Sequence, residues 1–142
     1  MAAITTKPIV VPWDFSEMSH AALQKAAELA DTTEQIHVVH VTSYPDAMEP
    51  SVIWGTYDEE KISGAIQKSF LESVNHGDYP GCKFHTLFGS PANEITRFAE
   101  ENNAGLIIIS SHGRTGVPRL FMGSVAERVV RHAHCPVLVL RD

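Results

Sequence analysis

The stretch IIISSHGRTGVPRLFMGSVAE contains the residues whose types and spacing best suit ligand chemistry. Gly113 and Gly116 have no Cβ to obstruct a ligand and allow positive φ, so consecutive backbone N–H groups can turn toward an anion. Gly123 and Ser124 then open a segment with helical patterning, whose first N–H groups lack intrahelical partners. The pattern predicts a phosphate cradle, and a ligand-free strand-to-helix turn is the open alternative.

Two basic residues of this stretch, Arg114 and Arg119, can add positive charge to the cradle or remain solvated. The loop is not of the Walker A type because no Gly-Lys-Ser/Thr follows the glycines. It is not the usual dinucleotide fingerprint either, because no G-x-G-x-x-G follows the first apolar run. The glycine pattern alone therefore leaves the type of phosphate ligand open.

Asp14, in the segment PWDFS after the first apolar run, suits a ribose better than a phosphate. A carboxylate is repelled by polyphosphate unless a cation intervenes, whereas acidic residues of other nucleotide folds accept hydrogen bonds from ribose hydroxyls. A cap or turn role before the first helix is the alternative for Asp14. Ser124 has a similar alternative, because Ser124 and Glu127 have the S-x-x-E spacing of a capping box.

No catalytic residues and no metal site are predicted. Asp14, Ser16, His112 and Ser124 are residue types of hydrolytic sites, but there is no G-x-S-x-G elbow and no paired base. The cluster RHAHC lacks the HExxH or CxxC spacing of common metal sites. His37 and His40 should fall on opposite faces of a strand and therefore cannot chelate one ion together.

The elements that position these residues alternate along the chain. Apolar runs rich in β-branched residues predict strands at 8–13, 36–42, 83–88, 106–110 and 136–140. Helical periodicity predicts helices at 19–30, 58–74, 90–102 and 124–132, with Ser19 and Ser90 as caps. This order predicts an α/β, Rossmann-like fold, a parallel sheet with helices on both faces. Ligands of such sheets bind beyond the carboxyl ends of the strands, which favours a crevice near Asp14, Val41 and the glycine loop.

Composition limits the partners. With 142 residues the chain fits a single domain, 1–142, and its formal charge of −6 argues against nucleic-acid and membrane-surface binding. Cys82 and Cys135 are expected to be buried, reduced thiols, and without a signal-like start the protein is expected in the cytoplasm. The irregular segment 43–56, which includes Trp54, is long for a compact domain and is predicted to be mobile or functional.

The chain resembles the universal stress protein family over essentially its whole length. The segments that carry the resemblance include IVVPWDFSEMSHAALQKAAELA, GSPANEITRFAEENNAGLIIISSHGRTG and GSVAERVVRHAHCPVLVLR. The family's ATP-binding subgroup is marked by G-x2-G-x9-G-[S/T], and here the pattern falls on Ser110, Gly113, Gly123 and Ser124. Serine replaces the first glycine, and we expect this position to require a small side chain and not a positive φ.

The resemblance implies a five-stranded parallel sheet of order 3-2-1-4-5 that binds ATP, or ADP or AMP, with or without Mg²⁺. Adenine and ribose would then contact Pro12, Asp14, Val41 and Ile109. The phosphates would contact Ser110, Gly113, Gly123, Ser124 and Val125. The resemblance also implies a homodimer through the strand at 136–140, whose exposed apolar edge invites pairing with a second chain.

The function expected from the residues and the resemblance is a stress-response regulator that acts as a dimeric, nucleotide-dependent switch. Two alternatives remain open. The protein could be a nucleotide-free dimeric scaffold or partner-binding module, with the segment 43–57 as its docking surface. It could also be a weak ATPase, with ATP hydrolysis slow at most.

Overall fold

The computed structural model of the protein describes residues 4–111 and 122–141. Five parallel strands form one sheet in the order β3-β2-β1-β4-β5, which confirms the predicted topology. The strands are β1 (Ile9–Pro12), β2 (Ile36–Thr42), β3 (Lys83–Phe88), β4 (Leu106–Ser110) and β5 (Val137–Leu140). The helices are α1 (Glu17–Leu29), α2 (Pro50–Ile53), α3 (Glu59–Ser73), α4 (Pro91–Glu101) and α5 (Ser124–His132).

Helices cover both faces of the sheet, as predicted. Successive strand residues point to opposite faces, so each central strand contributes to two cores. Ile9, Ile36 and Ile108 pack in the core under α1 and α3. Val10 and Ile107 pack in the core under α4 and α5. The apolar run LIIIS is therefore uninterrupted because both of its faces are covered.

The predicted caps Ser19 and Ser124 are wrong. Helix α1 begins at Glu17, and the side chain of its N-cap Ser16 accepts a hydrogen bond from the N–H of Ser19. Gly123 is the N-cap of α5, so Ser124 is the first helical residue and no capping box forms with Glu127. A backbone hydrogen bond from Gly123 N–H to the residue after β4 fixes where the chain enters α5. This tertiary contact outweighs the local S-x-x-E pattern.

His37 and His40 lie on opposite faces of β2, as predicted. Nδ1 of His37 is 2.9 Å from Nε2 of His85, and both rings pack near Phe98 of α4. Nδ1 of His40 instead lies 2.7 Å from the carbonyl oxygen of Trp13. Within the described ranges, no three His, Cys, Asp or Glu side chains are grouped closely enough to hold a metal ion.

Three further observations bear on the sequence predictions. Cys82 and Cys135 are free thiols, and both are half-buried, so the expectation that they are buried is wrong. The segment 43–56 contains the one-turn helix α2, after which Gly55 adopts φ +69°. None of the helices in the described part of the chain is long and apolar enough to cross a membrane.

Candidate functional site

A cavity of about 220 Å³ opens at the carboxyl ends of β1, β2 and β4. Strand β1 lies between β2 and β4 in the sheet, so this is the point where the strand order reverses. Crevices at this point are the usual ligand sites of open α/β sheets. Eight predicted site residues line the cavity, namely Pro12, Asp14, Val41, Ile109, Ser110, Gly123, Ser124 and Val125.

The other three predicted site residues, Gly113, Arg114 and Gly116, lie outside the described residues. The two ends that flank this part of the chain are joined, because Gly123 N–H donates to the carbonyl oxygen of Ser111 over 2.6 Å. Ser111 and Gly123 both line the cavity. The described residues on either side of 112–121 therefore meet at the cavity.

Asp14 is held by the first turn of α1. Its Oδ1 accepts hydrogen bonds from the N–H of Ser16, at 3.0 Å, and from the hydroxyl of Ser19, at 2.6 Å. The same Ser19 hydroxyl accepts a hydrogen bond from the N–H of Asp14, at 3.0 Å. These contacts fix the carboxyl group before any ligand arrives. The turn role considered for Asp14 is thus present, and no described residue donates a hydrogen bond to its Oδ2.

The surroundings of Asp14 keep it ionised. Burial opposes the charged form, but the hydrogen bonds from Ser16 and Ser19 outweigh this cost and hold the pKa of Asp14 below its usual value. An ionised carboxylate only accepts hydrogen bonds. Asp14 therefore presents an oriented acceptor at the cavity, which suits a hydroxyl-bearing ligand.

The turn after β1 contains a strained residue. Phe15 has φ +66°, in the left-handed region that bulky side chains rarely adopt. Its ring makes edge contacts with Trp13 and His40. Strain of this kind costs on the order of 1–3 kcal/mol and persists only where the surrounding contacts enforce it. Phe15 lies between Asp14 and the N-cap of α1, so the strained residue is part of the turn that contains the Asp14 contacts.

Strand β2 forms a second wall of the cavity. Val39, His40 and Val41 line it, and the chain after β1 follows β2 through a 2.8 Å hydrogen bond from Trp13 N–H to the Val39 carbonyl. Because a carbonyl oxygen only accepts, Nδ1 of His40 carries a proton in its contact with Trp13.

The third wall consists of the end of β4 and the start of α5. Ser110 lies in extended strand backbone, so a serine fits there without the strain of a positive φ. Gly123 is also extended, with φ −62° and ψ 157°, and its missing side chain leaves the first turn of α5 without a side-chain cap. The amides at the start of α5 have no intrahelical carbonyl partners, and the helix dipole makes this end positive.

The charge of the described lining is uneven. Asp14 is the one acidic residue among the described lining residues, and none of them is Lys or Arg. The walls between Asp14 and α5 are apolar, with Val39, Val41 and Ile109 among them. Because the described lining has no cationic Lys or Arg, any attraction for an anion from these residues must come from backbone amides and uncharged donors such as the Ser124 hydroxyl.

Several lining residues were not predicted as site residues from the sequence, namely Trp13, Ser19, Val39, His40, Pro91, Ile95, Ser111 and Ala126. Ser19 could have been found, because the spacing Asp14-x-Ser16-x-x-Ser19 allows a carboxylate to bond a helix's first turn. Pro91 and Ile95 belong to α4, and their approach to the cavity depends on how that helix packs. No sequence signal identifies them.

The sequence profile of the universal stress protein family matches residues 5–141. This match covers nearly the whole chain. The chain belongs to the universal stress protein family.

Individual relatives and solved structures are similar to this chain over most of its length. The universal stress protein MJ0531 of Methanocaldococcus jannaschii is 36% identical over 139 residues, which cover 95% of this chain and 82% of that protein. The solved structure of the protein MJ0577 superposes with a TM-score of 0.73 at 25% identity and covers 98% of both chains. A universal stress protein from Archaeoglobus fulgidus, solved in complex with dAMP, has a TM-score of 0.56 at 25% identity, with 95% of this chain and 98% of that chain covered. The present chain therefore shares the family fold over almost its full length.

Proposed function

We propose that this universal stress protein binds an adenine nucleotide and acts as a dimeric, nucleotide-dependent switch in a stress response. The observation that carries the proposal is the arrangement of the cavity. An oriented, ionised Asp14 lies on one side, and the uncapped amino-terminal end of α5 lies on another. A nucleoside hydroxyl and a phosphate need these two kinds of partner.

In this proposal, adenine and ribose contact Pro12, Asp14, Val41 and Ile109. The apolar side chains pack against the base, and Asp14 accepts hydrogen bonds from the ribose hydroxyls. The complex of the Archaeoglobus fulgidus relative with dAMP supports an adenine nucleotide as the ligand.

The phosphates contact the amides of Ser124 and Val125, the small residues Ser110 and Gly123, and the sequence-predicted Gly113, Arg114 and Gly116. Because the described lining has no basic side chain, we expect the phosphate charge to be met by amides, by the arginine and by Mg²⁺ when it is present. ATP is the proposed ligand, and ADP and AMP share its adenosine contacts.

The proposed dimer forms through the strand at 136–140. Strand β5 is at the edge of the sheet, next to β4, and all four of its residues are half-buried. An apolar edge strand can extend its hydrogen bonding to a second copy of the chain. We place this switch in the cytoplasm, where it can sense the ATP pool.

The test begins with the nucleotide that copurifies with the full chain. The protein is precipitated with acid, and released nucleotides are identified by chromatography and mass spectrometry. Near-stoichiometric ATP, ADP or AMP is expected. Titration calorimetry with ATP, with and without Mg²⁺, then compares the wild type with Asp14→Asn and with the exposed control Asp31→Asn.

An empty protein that also takes up no ATP in calorimetry would refute nucleotide binding. Equal affinity of the wild type and Asp14→Asn would refute the assignment of the ribose to Asp14. Sedimentation equilibrium tests the dimer separately, and a monomer at micromolar concentration would contradict it.

A further inference from the structure

The connection between β2 and α3 carries a concentration of exposed apolar side chains. Among the described residues, five of the large hydrophobic side chains that are exposed lie between positions 44 and 54, namely Tyr44, Met48, Val52, Ile53 and Trp54. Met48 and Trp54 are each 76% exposed. Scattered apolar residues are normal on a protein surface, whereas a concentration of them usually marks an interaction site.

Local hydrogen bonds give this surface a defined shape. Trp54 N–H donates to the carbonyl oxygen of Pro50 over 2.9 Å, which closes the single turn of α2. Ser51 N–H donates to the Glu49 carboxylate at the start of the same turn. Met48 N–H donates to the carboxylate of Asp46. None of the four residues of α2 is buried, so this shaped turn does not serve the core of the described fold.

The same part of the chain is strongly acidic. Residues 43–60 include five acidic side chains, Asp46, Glu49, Asp58, Glu59 and Glu60, and no Lys, Arg or His. All five are exposed, and none of them forms an ion pair with a basic side chain of the described residues. We name residues 43–60 the acidic apolar surface.

We propose that the acidic apolar surface docks a basic, apolar segment of another protein, in which Lys or Arg residues alternate with large apolar side chains. The apolar residues would bury against Met48, Val52 and Trp54, and the basic residues would pair with the surrounding acids. Complementary charge steers such partners together and excludes others. The proposal is independent of nucleotide binding.

The charge also decides against other occupants. A symmetric dimer that paired this surface with itself would bring five acids against five, and like charges across an interface are repulsive. Anionic membranes and nucleic acids are repelled for the same reason. An uncharged apolar segment would leave all five carboxylates without a basic partner.

The test is an unbiased selection with the full-length protein. A display library of random 16-residue peptides is selected on the immobilised wild type. It is counter-selected on the double variant Met48→Ser with Trp54→Ala, whose replaced side chains are exposed and should not alter folding. We expect the enriched peptides to carry net positive charge and large apolar residues. Enrichment of neutral or acidic peptides would overturn the proposal, and so would the absence of peptides that survive counter-selection.

An enriched peptide is then synthesised with a fluorophore, and its binding is measured by anisotropy. The double variant should bind at least tenfold more weakly than the wild type, and Glu59→Gln with Glu60→Gln should weaken binding severalfold and reduce its salt dependence. The matched control combines Val130→Ala with Glu17→Gln, an exposed apolar residue of α5 and an exposed acid in the first turn of α1. This control should bind like the wild type. Equal weakening in the control would show nonspecific attraction to an acidic protein and refute the docking surface.

Two further outcomes would assign the surface to a different occupant and overturn the proposal. One is concentration-dependent self-association of the wild type that disappears in the double variant. The other is binding to phosphatidylglycerol vesicles that depends on Trp54.

Discussion

The start of α5 offers the sharpest test of the proposed phosphate contacts. Gly123 is the N-cap of α5, has extended backbone and provides no side-chain cap. Because its φ is −62°, another residue can occupy the position without backbone strain. Aspartate is a preferred N-cap residue, so Gly123→Asp should place a carboxylate on the amides that we assign to phosphate.

The two consequences of Gly123→Asp have opposite signs. The N-cap hydrogen bond adds a few tenths of a kcal/mol over glycine, and the negative charge at the helix start adds about 0.3–1 kcal/mol. The free energy of unfolding should therefore rise by roughly 0.5–1 kcal/mol, a small increase in Tm. Loss of one charge-assisted hydrogen bond to phosphate costs about 1.5–3 kcal/mol, so the Kd for ATP should rise roughly 10-fold to 150-fold.

The assay combines thermal unfolding without nucleotide and titration calorimetry with ATP. The control Gly123→Ala adds a methyl group but no acceptor, and it should lower the free energy of unfolding while changing the Kd less than Gly123→Asp does. Because a misfolded variant would lose stability and affinity together, the opposite signs exclude misfolding as the cause. A Gly123→Asp protein that is more stable and binds ATP as tightly as the wild type would refute phosphate binding at α5.

Four further predictions concern single residues. Asp14→Asn should make the free energy of unfolding less dependent on pH in the acid range. The lowered pKa of Asp14 contributes stability that is present above the unfolded value of 3.8 and is lost as pH falls through the folded pKa. An unchanged pH dependence of urea unfolding in acid would contradict this. Burial and the charges of His85 and Lys83 lower the pKa of His37, so the free energy of unfolding should decrease as pH falls below the unfolded value of 6.5. His37→Gln should make the free energy of unfolding change less between pH 7 and pH 5. At Phe15, Gly should be more stable than Ala by about 1 kcal/mol in denaturant titrations, because φ is positive there, and the reverse order would show that the turn relaxes. Ile108→Ala should cost about 2–5 kcal/mol in the same assay because Ile108 is fully buried at the sheet centre, and a loss under 1 kcal/mol would contradict its core role.

Many of the cavity residues could be predicted from the sequence, because they are consecutive in the chain or lie at the ends of predicted strands. Asp14 comes two residues after β1, and Ser110 ends β4, so the strand runs place both at one edge of the sheet. The motif pattern predicted Gly123, Ser124 and Val125, which the structure places on the cavity wall. Their roles toward a ligand stay predictions.

The incorrect predictions arose where another contact, local at Ser19 and tertiary at Gly123, outweighed the capping pattern. Ser19 has a good capping sequence context, but the chain uses its hydroxyl to hold Asp14 and starts α1 at Glu17. Ser124 and Glu127 have capping-box spacing, but the hydrogen bond from Gly123 N–H to Ser111 holds Gly123 in the N-cap position. Helix α5 therefore begins at Ser124, one residue after the glycine. A local pattern describes what a segment can form alone and contains no information about distant partners.

The sequence by itself determined the order of the five strands and the four longer helices and the doubly covered sheet, because these follow from apolar periodicity along neighbouring residues, but it did not predict the one-turn helix α2. It also determined the acidic, apolar character of residues 43–60. The tertiary structure alone decided which side chains meet. The ring contact of Phe15 with His40 and the approach of Ile95 to the cavity both depend on packing between elements distant in the chain. Such contacts have no periodic signature, because they form only when the sheet and its helices are assembled.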